Sequence, residues 1–318
     1  MGFGGRATIQ TAQGEGGGFA KLISEEGEIS LLPNGYIDLH LHTNHSDGMK
    51  SVHEMVAAAA HRKLLAVAVT DHDALAGLAE IDDAARRSQI EVVPGIEISS
   101  TCSGFETHIL GYFIDRNHST LKTFTQEFRT QRQDRAREIL RKLTYQGIDI
   151  PYDLVQSRAG HGVIGRPHIA DLMVEEGFVF SFQEAFNKYL AEHRPAFVPK
   201  LFIDAEGAID LIHSAGGLAF LAHPGVGVAD DVIHKLALHG LDGIETLHPK
   251  HHTGQTLYYQ EMARKLNLLE TGGSDCHGAR SGELMLGCMM VPYRLLESMK
   301  EKLSTRTNIL EPVKIDNE

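Results

Sequence analysis

The sequence is that of an α/β protein, a barrel or wound sheet interrupted by helices. Three observations predict this. From Gly35 onward short apolar runs alternate with helix-like segments, the pattern of parallel βα units. Between about residues 117 and 200 the strand-like runs stop and the segments are all helix-like. After residue 200 the alternation resumes. At 318 residues the chain exceeds the usual ~100 to 200 of one domain, which fits one large domain carrying an insertion.

Taken in order, residues 1 to 33 open with "MGFGGRATIQTAQGEGGGF", which has one Arg and no apolar core of signal-peptide length. They are expected to be a flexible leader, and export is not expected. The first barrel part, 34 to 116, begins with the strand "YIDLHLH" and the helix "SVHEMVAAAAHRK". The strand "LLAVAVTDH" and helix "ALAGLAEIDDAARRS" follow, then the strands "IEVVPGIEIS" and "THILGYFID". The insertion, 117 to 200, reads as helices in "LKTFTQEFRTQRQDRAREILRKLTYQG", "RPHIADLMVEEG" and "SFQEAFNKYLAEH". Its closing "RPAFVPK" has the prolines of a return linker. The second barrel part, 201 to 318, carries "AEGAIDLIHSAG", "GLAFLAHPG", "DDVIHKLALHG", "LDGIETLHP", "TGQTLYYQEMARKL" and "NLLETGGSDCH".

Composition narrows the function classes. No apolar stretch approaches the ~20 residues of a membrane span, so no membrane partner is expected. Cys102, Cys276 and Cys288 are too few and scattered for a disulfide framework, which points to the reducing cytoplasm. A net charge of −12 repels nucleic acid from the bare surface, so a phosphate-bearing ligand needs a local positive centre. Bound metal can provide one.

The polar residues that interrupt the strands carry the chemistry. In an extended strand residues i and i+2 share a face, so His40 and His42 project together and can grip one cation. A pair of hydrogen-bonded core histidines would look the same in isolation. However, metal-competent residues recur at the following strands: His72 in "VTDH", Glu97 in "GIEIS", His108 in "ETHILGY", His223 in "LAHPG", and Asp275 and His277 in "GGSDCH". Ligands gather at the carboxyl ends of strands in parallel α/β folds, so these should converge on one mouth, with Asp47 from the loop after strand one. Six imidazoles and three carboxylates without a thiolate suit Mn²⁺, Fe²⁺ or Zn²⁺ in a hydrolytic site.

The segments "DLHLHTNHSDG", "VTDHD", "GIEIS", "THILGY", "AHPG" and "SDCHG", in order and spacing, resemble the signature of the PHP (polymerase and histidinol phosphatase) superfamily over roughly residues 34 to 290. "GRPHIA" and "GIETLHPKHH" resemble the branch acting on nucleoside 3′,5′-bisphosphates and short 5′-phosphorylated oligonucleotides. The resemblance implies a distorted (β/α)7 TIM-like barrel with a helical insertion and two to three divalent metal ions. It implies that His40, His42, Glu97 and Asp275 hold one metal and that Asp47, His72 and His277 hold a second. Glu97 would bridge to a third, held by His108 and His223. Three divalent ions against three carboxylates leave a centre of about +3, which attracts phosphate. Catalysis would run through Glu97, Asp275 and His277, with Arg166 and His168 at the phosphate. Thr246 and Leu247 depart from the apolar and aromatic pair of that branch, leaving base stacking at that position unsupported.

Outside the metal set, Arg166, His168, His248 and His252 are expected to bind substrate. Arg129, Arg132, Arg135, Arg137 and Arg141 crowd one helix, read mainly as a solvated face balanced by Asp134 and Glu138, with Arg132 and Arg135 as further substrate candidates. Cys276 is read as packing, and His53, His61, His213 and His234 as surface residues. Three other readings compete. An amidohydrolase would need a bridging Lys that is missing and would leave Glu97, Asp47 and His277 surplus. A histidinol-phosphate phosphatase shares the metal set, and an inactive metal-binding scaffold would be expected to have lost ligands. No obligatory protein partner is expected.

Overall fold

The computed structural model describes residues 9–11, 19–23, 29–33, 35–160, 162–200, 202–279 and 284–310, with side chains from 35 to 306 within those ranges. Three strands, β1 (Ile9–Thr11), β2 (Phe19–Ile23) and β3 (Ile29–Pro33), pair antiparallel in a small sheet of their own. They fall within the stretch expected as a leader, most of which lies outside the described residues; Phe19 stands opposite Pro33 and Ile23 opposite Ile29.

The main sheet contains β4 (Tyr36–Leu41), β5 (Ala66–Val69), β6 (Glu91–Cys102), β7 (Phe105–Tyr112), β8 (Ile203–Asp204), β9 (Leu218–Leu221), β10 (Gly243–Leu247), β11 (Leu269–Gly272) and β12 (Val291–Pro292). Their order is β11-β10-β9-β7-β6-β5-β4-β12, with β8 on β6. The two sides meet where Leu41 bridges Cys276 in parallel and the His42 amide donates to the Cys276 carbonyl at 3.0 Å. Among the described residues seven strands thus form a nearly closed barrel. Six share one direction, and β7 runs antiparallel to both β6 and β9.

The reversal at β7 has a local cause. Only Ser103 and Gly104 separate β6 from β7, and both have positive φ, 52° and 85°. A two-residue loop with both residues left-handed is the tight hairpin connection, and it can join only antiparallel neighbours.

The helices α1 (Val52–His61), α2 (Ile81–Ser88), α7 (Ala205–Ser214), α8 (Asp230–His239) and α9 (Thr253–Leu266) cover the outside. Strand alternation divides the barrel core. Val67, Val69, Ala219 and Leu221 pack on those helices, whereas Ala66, Ala68, Leu218 and Phe220 fill the interior beside Leu295, Leu296 and Met299 of α10 (Arg294–Leu310). Between β7 and β8 the chain forms α3 (Ser119–Thr144), α4 (Tyr152–Ala159), α5 (Arg166–Glu175), α6 (Phe182–Ala185) and a π-helical turn (Phe186–Leu190). Those elements have a separate apolar core that includes Ile139, Leu143, Val155, Ile169 and Met173. Among the described residues no helix is long and apolar enough to cross a membrane.

Candidate active site

The metal-competent side chains meet at one end of the barrel. His40 and His42 come from the end of β4, where the register shifts between Asp38 and Leu41, and both are fully buried. His72 follows β5, Glu97 lies within β6, His223 follows β9, and Asp275 and His277 follow β11. His108 is the exception to the carboxyl-end expectation. It lies in the first half of β7, opposite Ser99, and reaches the same mouth because that strand is reversed.

Glu97 is the centre of the arrangement. Its Oε2 lies 3.1 Å from His40 Nε2, His42 Nε2 and His72 Nδ1. Its Oε1 lies 2.8 Å from His108 Nδ1 and 3.1 Å from His223 Nε2. The two oxygens therefore face two separate sets of imidazoles. Asp275 Oδ1 is 3.2 Å from His42 Nε2 and 3.5 Å from His40 Nε2, while His277 Nε2 is 3.2 Å from Asp47 Oδ1.

Donor atoms close within 4.8 Å in four groups: His40, His42, Glu97 and Asp275; His42, Asp47, His72 and His277; His72, Glu97 and His108; and His40, Glu245 and His248. These groups can hold metal ions. Both ring nitrogens of His42 and His108, and His248 Nε2, are buried without a hydrogen-bond partner among the described residues. So many polar atoms aimed at one another without hydrogen-bond geometry would be costly in a dry core, and cations between them remove the cost.

The electrostatics point the same way. Burial alone would raise the Glu97 and Asp275 carboxyls, but the surrounding histidines hold both well below the usual carboxylate range. Burial likewise opposes protonation of His42 and His108, yet the acidic groups around them push these rings up to about 10 and about 9. His72 goes the other way, because burial dominates. A cluster of buried carboxylates thus draws positive charge towards itself.

Backbone constraint supports the site. His223 and Asp275 adopt positive φ, 29° and 51°, which is uncommon for residues with a side chain and is found where geometry is fixed for function. Gly273 permits the close approach, since a Cβ there would sit 2.4 Å from the backbone nitrogen of His40.

Several expected residues prove to have other partners. His252 is exposed and caps α9, accepting from the Gln255 amide at 3.2 Å, so it serves the helix instead of the mouth. His168 is buried and its Nδ1 accepts from the Gly165 amide at 3.0 Å, which orients the ring at the start of α5. Arg166 does line the cavity of about 490 Å³ above the cluster, together with Glu106, His108, His223 and Lys250. Its Nη1 donates to the Leu190 carbonyl at 3.1 Å. His248 is fully buried, 3.4 Å from Asp275 Oδ2, and so belongs to the cluster itself.

The solvated reading of α3 holds for Arg137 and Arg141, which pair with Asp134 and Glu138. It fails for Arg132, which is buried and paired with Asp73. Arg135 is half-buried, donates to the Val198 carbonyl at 2.9 Å, and is lowered to about 9 by burial and by Arg166 and Arg132. Lys200 joins this cationic group, contacting Ser99 and lying 3.9 Å from Asp73, and burial lowers it to about 8.

Sequence reasoning missed Lys200 and Glu245. Glu245 Oε1 contacts His40 Nδ1 at 3.0 Å, and its Oε2 accepts from the His223 amide at 2.8 Å. Its place in "GIETL", on a strand between two that carry ligands, was the available signal.

Residues 38–217 match the family model of the PHP domain. This chain belongs to the PHP-domain family. It is 35% identical over 249 residues to a 5′-3′ exoribonuclease of Haemophilus influenzae, covering 76% of this chain and 89% of that one. It is 32% identical to a 3′,5′-nucleoside bisphosphate phosphatase of Chromobacterium violaceum, covering 77% and 88%. A solved structure named a metal-dependent phosphoesterase, from Bifidobacterium adolescentis, superposes with a TM-score of 0.78 at 27% identity, covering 84% and 96%. The fold is therefore the distorted barrel expected of a PHP domain.

Proposed function

We propose that this PHP protein hydrolyses phosphate from nucleoside 3′,5′-bisphosphates and from short 5′-phosphorylated oligonucleotides. The observation that carries the reading is the ligand cluster around Glu97 opening into a cavity that also bears Arg166. The exoribonuclease and bisphosphate phosphatase at 35% and 32% identity support the substrate class.

His40, His42, Glu97 and Asp275 would hold one divalent ion, and Asp47, His72 and His277 a second. His108 and His223 would hold a third with Glu97. Mn²⁺, Fe²⁺ or Zn²⁺ there would polarise the phosphoryl oxygens and acidify a water to supply the nucleophile. Glu245 keeps the His40 ring in place through Nδ1, leaving Nε2 to face the cluster. Arg166 supplies a guanidinium for the phosphate that is not cleaved, so that contact is remote from the reacting phosphorus and its binding energy can raise the rate. Arg132, Arg135 and Lys200 add positive potential behind it.

The test is phosphate release by metal-reconstituted protein from a nucleoside 3′,5′-bisphosphate, a 5′-phosphorylated oligonucleotide and histidinol phosphate. Preferred hydrolysis of the first two supports the nucleotide reading. Preference for histidinol phosphate overturns it.

A further inference from the structure

We propose that a second groove, adjoining the cavity of Arg166, whose guanidinium lies 5.6 Å from the Phe186 ring, receives the nucleotide that lies 3′ of the scissile phosphate when the substrate is an oligonucleotide. This rests on the nucleotide reading above. The groove has a volume of about 760 Å³, and its walls include Pro167, Phe182, Gln183, Phe186 and Met285. It shares Lys250, Asp275 and His277 with the cavity that holds Arg166, so the two spaces meet at the cluster.

Their chemistries differ. The cavity presents Arg166, Glu106 and imidazoles, which suit a phosphate and a ribose. The groove presents the Phe182 and Phe186 rings, 5.0 Å apart, with a Met side chain, a sequence-tolerant surface for a nucleobase. At the junction the largely exposed Lys250 places Nζ 3.5 Å from Asp275 Oδ2, beside the position the reacting phosphate must take.

Substrate chemistry selects the occupant. A nucleoside 3′,5′-bisphosphate ends at its 3′-phosphate and has nothing to place beyond the reacting phosphorus. An oligonucleotide continues there. In the reaction a water oxygen bonds to phosphorus and the P–O3′ bond breaks. The electron pair leaves on O3′, which takes up the proton given by water. The phosphate stays on the downstream nucleotide, so the shortened chain again begins with a 5′-phosphate. Each cycle therefore regenerates a substrate whose 3′ side occupies the groove.

The test compares a 5′-phosphorylated ribotrinucleotide with a nucleoside 3′,5′-bisphosphate. Gln183 is exposed at the wall and, among the described residues, its side chain bonds only locally, to Asn187 at 2.9 Å, so changing its charge leaves the fold intact. Gln183→Glu should lower kcat/KM for the trinucleotide about threefold to tenfold, more at low salt, and Gln183→Lys should raise it. Phe182→Ala should cost the trinucleotide about tenfold. Activity on the bisphosphate should stay within about twofold throughout.

Equal shifts on both substrates would mean that the groove holds the nucleoside common to them, and the proposal falls. It also falls if no variant changes the ratio, or if the wild type cleaves the bisphosphate but not the trinucleotide. Hydrolysis of neither substrate would instead refute the nucleotide reading beneath it.

Discussion

At the residue scale, Glu97 and Glu245 have separable jobs. Glu97 offers one oxygen to each set of imidazoles, so Glu97→Gln removes the charge and replaces one of the two ligating oxygens with an NH2 group that cannot ligate. The expected outcome is loss of bound metal and of turnover, read by metal analysis and phosphate release. Wild-type metal content would contradict the bridging role. Among the described residues Glu245 hydrogen-bonds the far side of His40 and the His223 amide, and it lies in the donor group with His40 and His248. Glu245→Gln should keep the fold and cost about 10- to 100-fold in metal affinity or activity, the usual penalty for disturbing a ligand's support. Glu97→Gln should therefore be the more damaging change. If the two variants are equally impaired, Glu245 is itself a ligand.

At the element scale, α10 closes the barrel interior and is tied down by Asp242. Lys302 Nζ lies 3.0 Å from Asp242 Oδ1, His213 Nε2 lies 2.8 Å from Oδ2, and the Ala219 amide donates to Oδ2 at 2.9 Å. His213 is thus half-buried and paired where a surface residue was expected. Burial alone would raise the Asp242 carboxyl, but His213, the Ala219 amide and Lys302 outweigh it and lower the pKa. The stabilisation is complete above the unfolded carboxylate value, ~3.9, and is lost as pH falls through the lower folded value. Asp242→Asn should cost about 2 kcal/mol at pH 7 by denaturant titration. That deficit should shrink below about pH 4. A deficit unchanged by acid would remove the charge from the explanation.

Elements also show what sequence could and could not convey. The βα rhythm, the strandless stretch and the ligand-bearing strand ends are local patterns, so they were readable one segment at a time. The reversal of β7 hinges on Ser103 and Gly104, a turn whose consequence for His108 appears only once the strands are paired. On α3, Arg132 and Arg137 look equivalent in sequence. Burial separates them, because Asp73, distant in sequence, lies opposite Arg132 alone. His168 and His252 sit in promising motifs, and Nδ1 of each accepts from the backbone of its own helix start. Short-range hydrogen bonds of this kind occupy one ring nitrogen and leave no composition signal.

At the scale of the whole molecule, a chain of net charge −12 must draw in a polyanion. The structure gathers Arg132, Arg135, Arg166 and Lys200 where the insertion meets the barrel, beside the ligand cluster. Bound divalent ions would complete that positive centre. Removing metal with a chelator should therefore abolish hydrolysis and lower the melting temperature, because ions that bind only the folded chain stabilise it. Re-addition of Mn²⁺, Fe²⁺ or Zn²⁺ should restore both, and an unchanged melting temperature would argue against the buried clusters as the binding sites.

The most direct measurement is kcat/KM of the metal-reconstituted protein for a nucleoside 3′,5′-bisphosphate and for the matching 3′-monophosphate, repeated with Arg166→Ala. If Arg166 holds the phosphate that is not cleaved, the bisphosphate should be strongly preferred. The variant should lose about 30- to 1000-fold of that preference, the equivalent of about 2 to 4 kcal/mol, with its metal content unchanged. Equal wild-type activity on the two substrates would contradict the nucleotide bisphosphate assignment and leave a general phosphatase in its place.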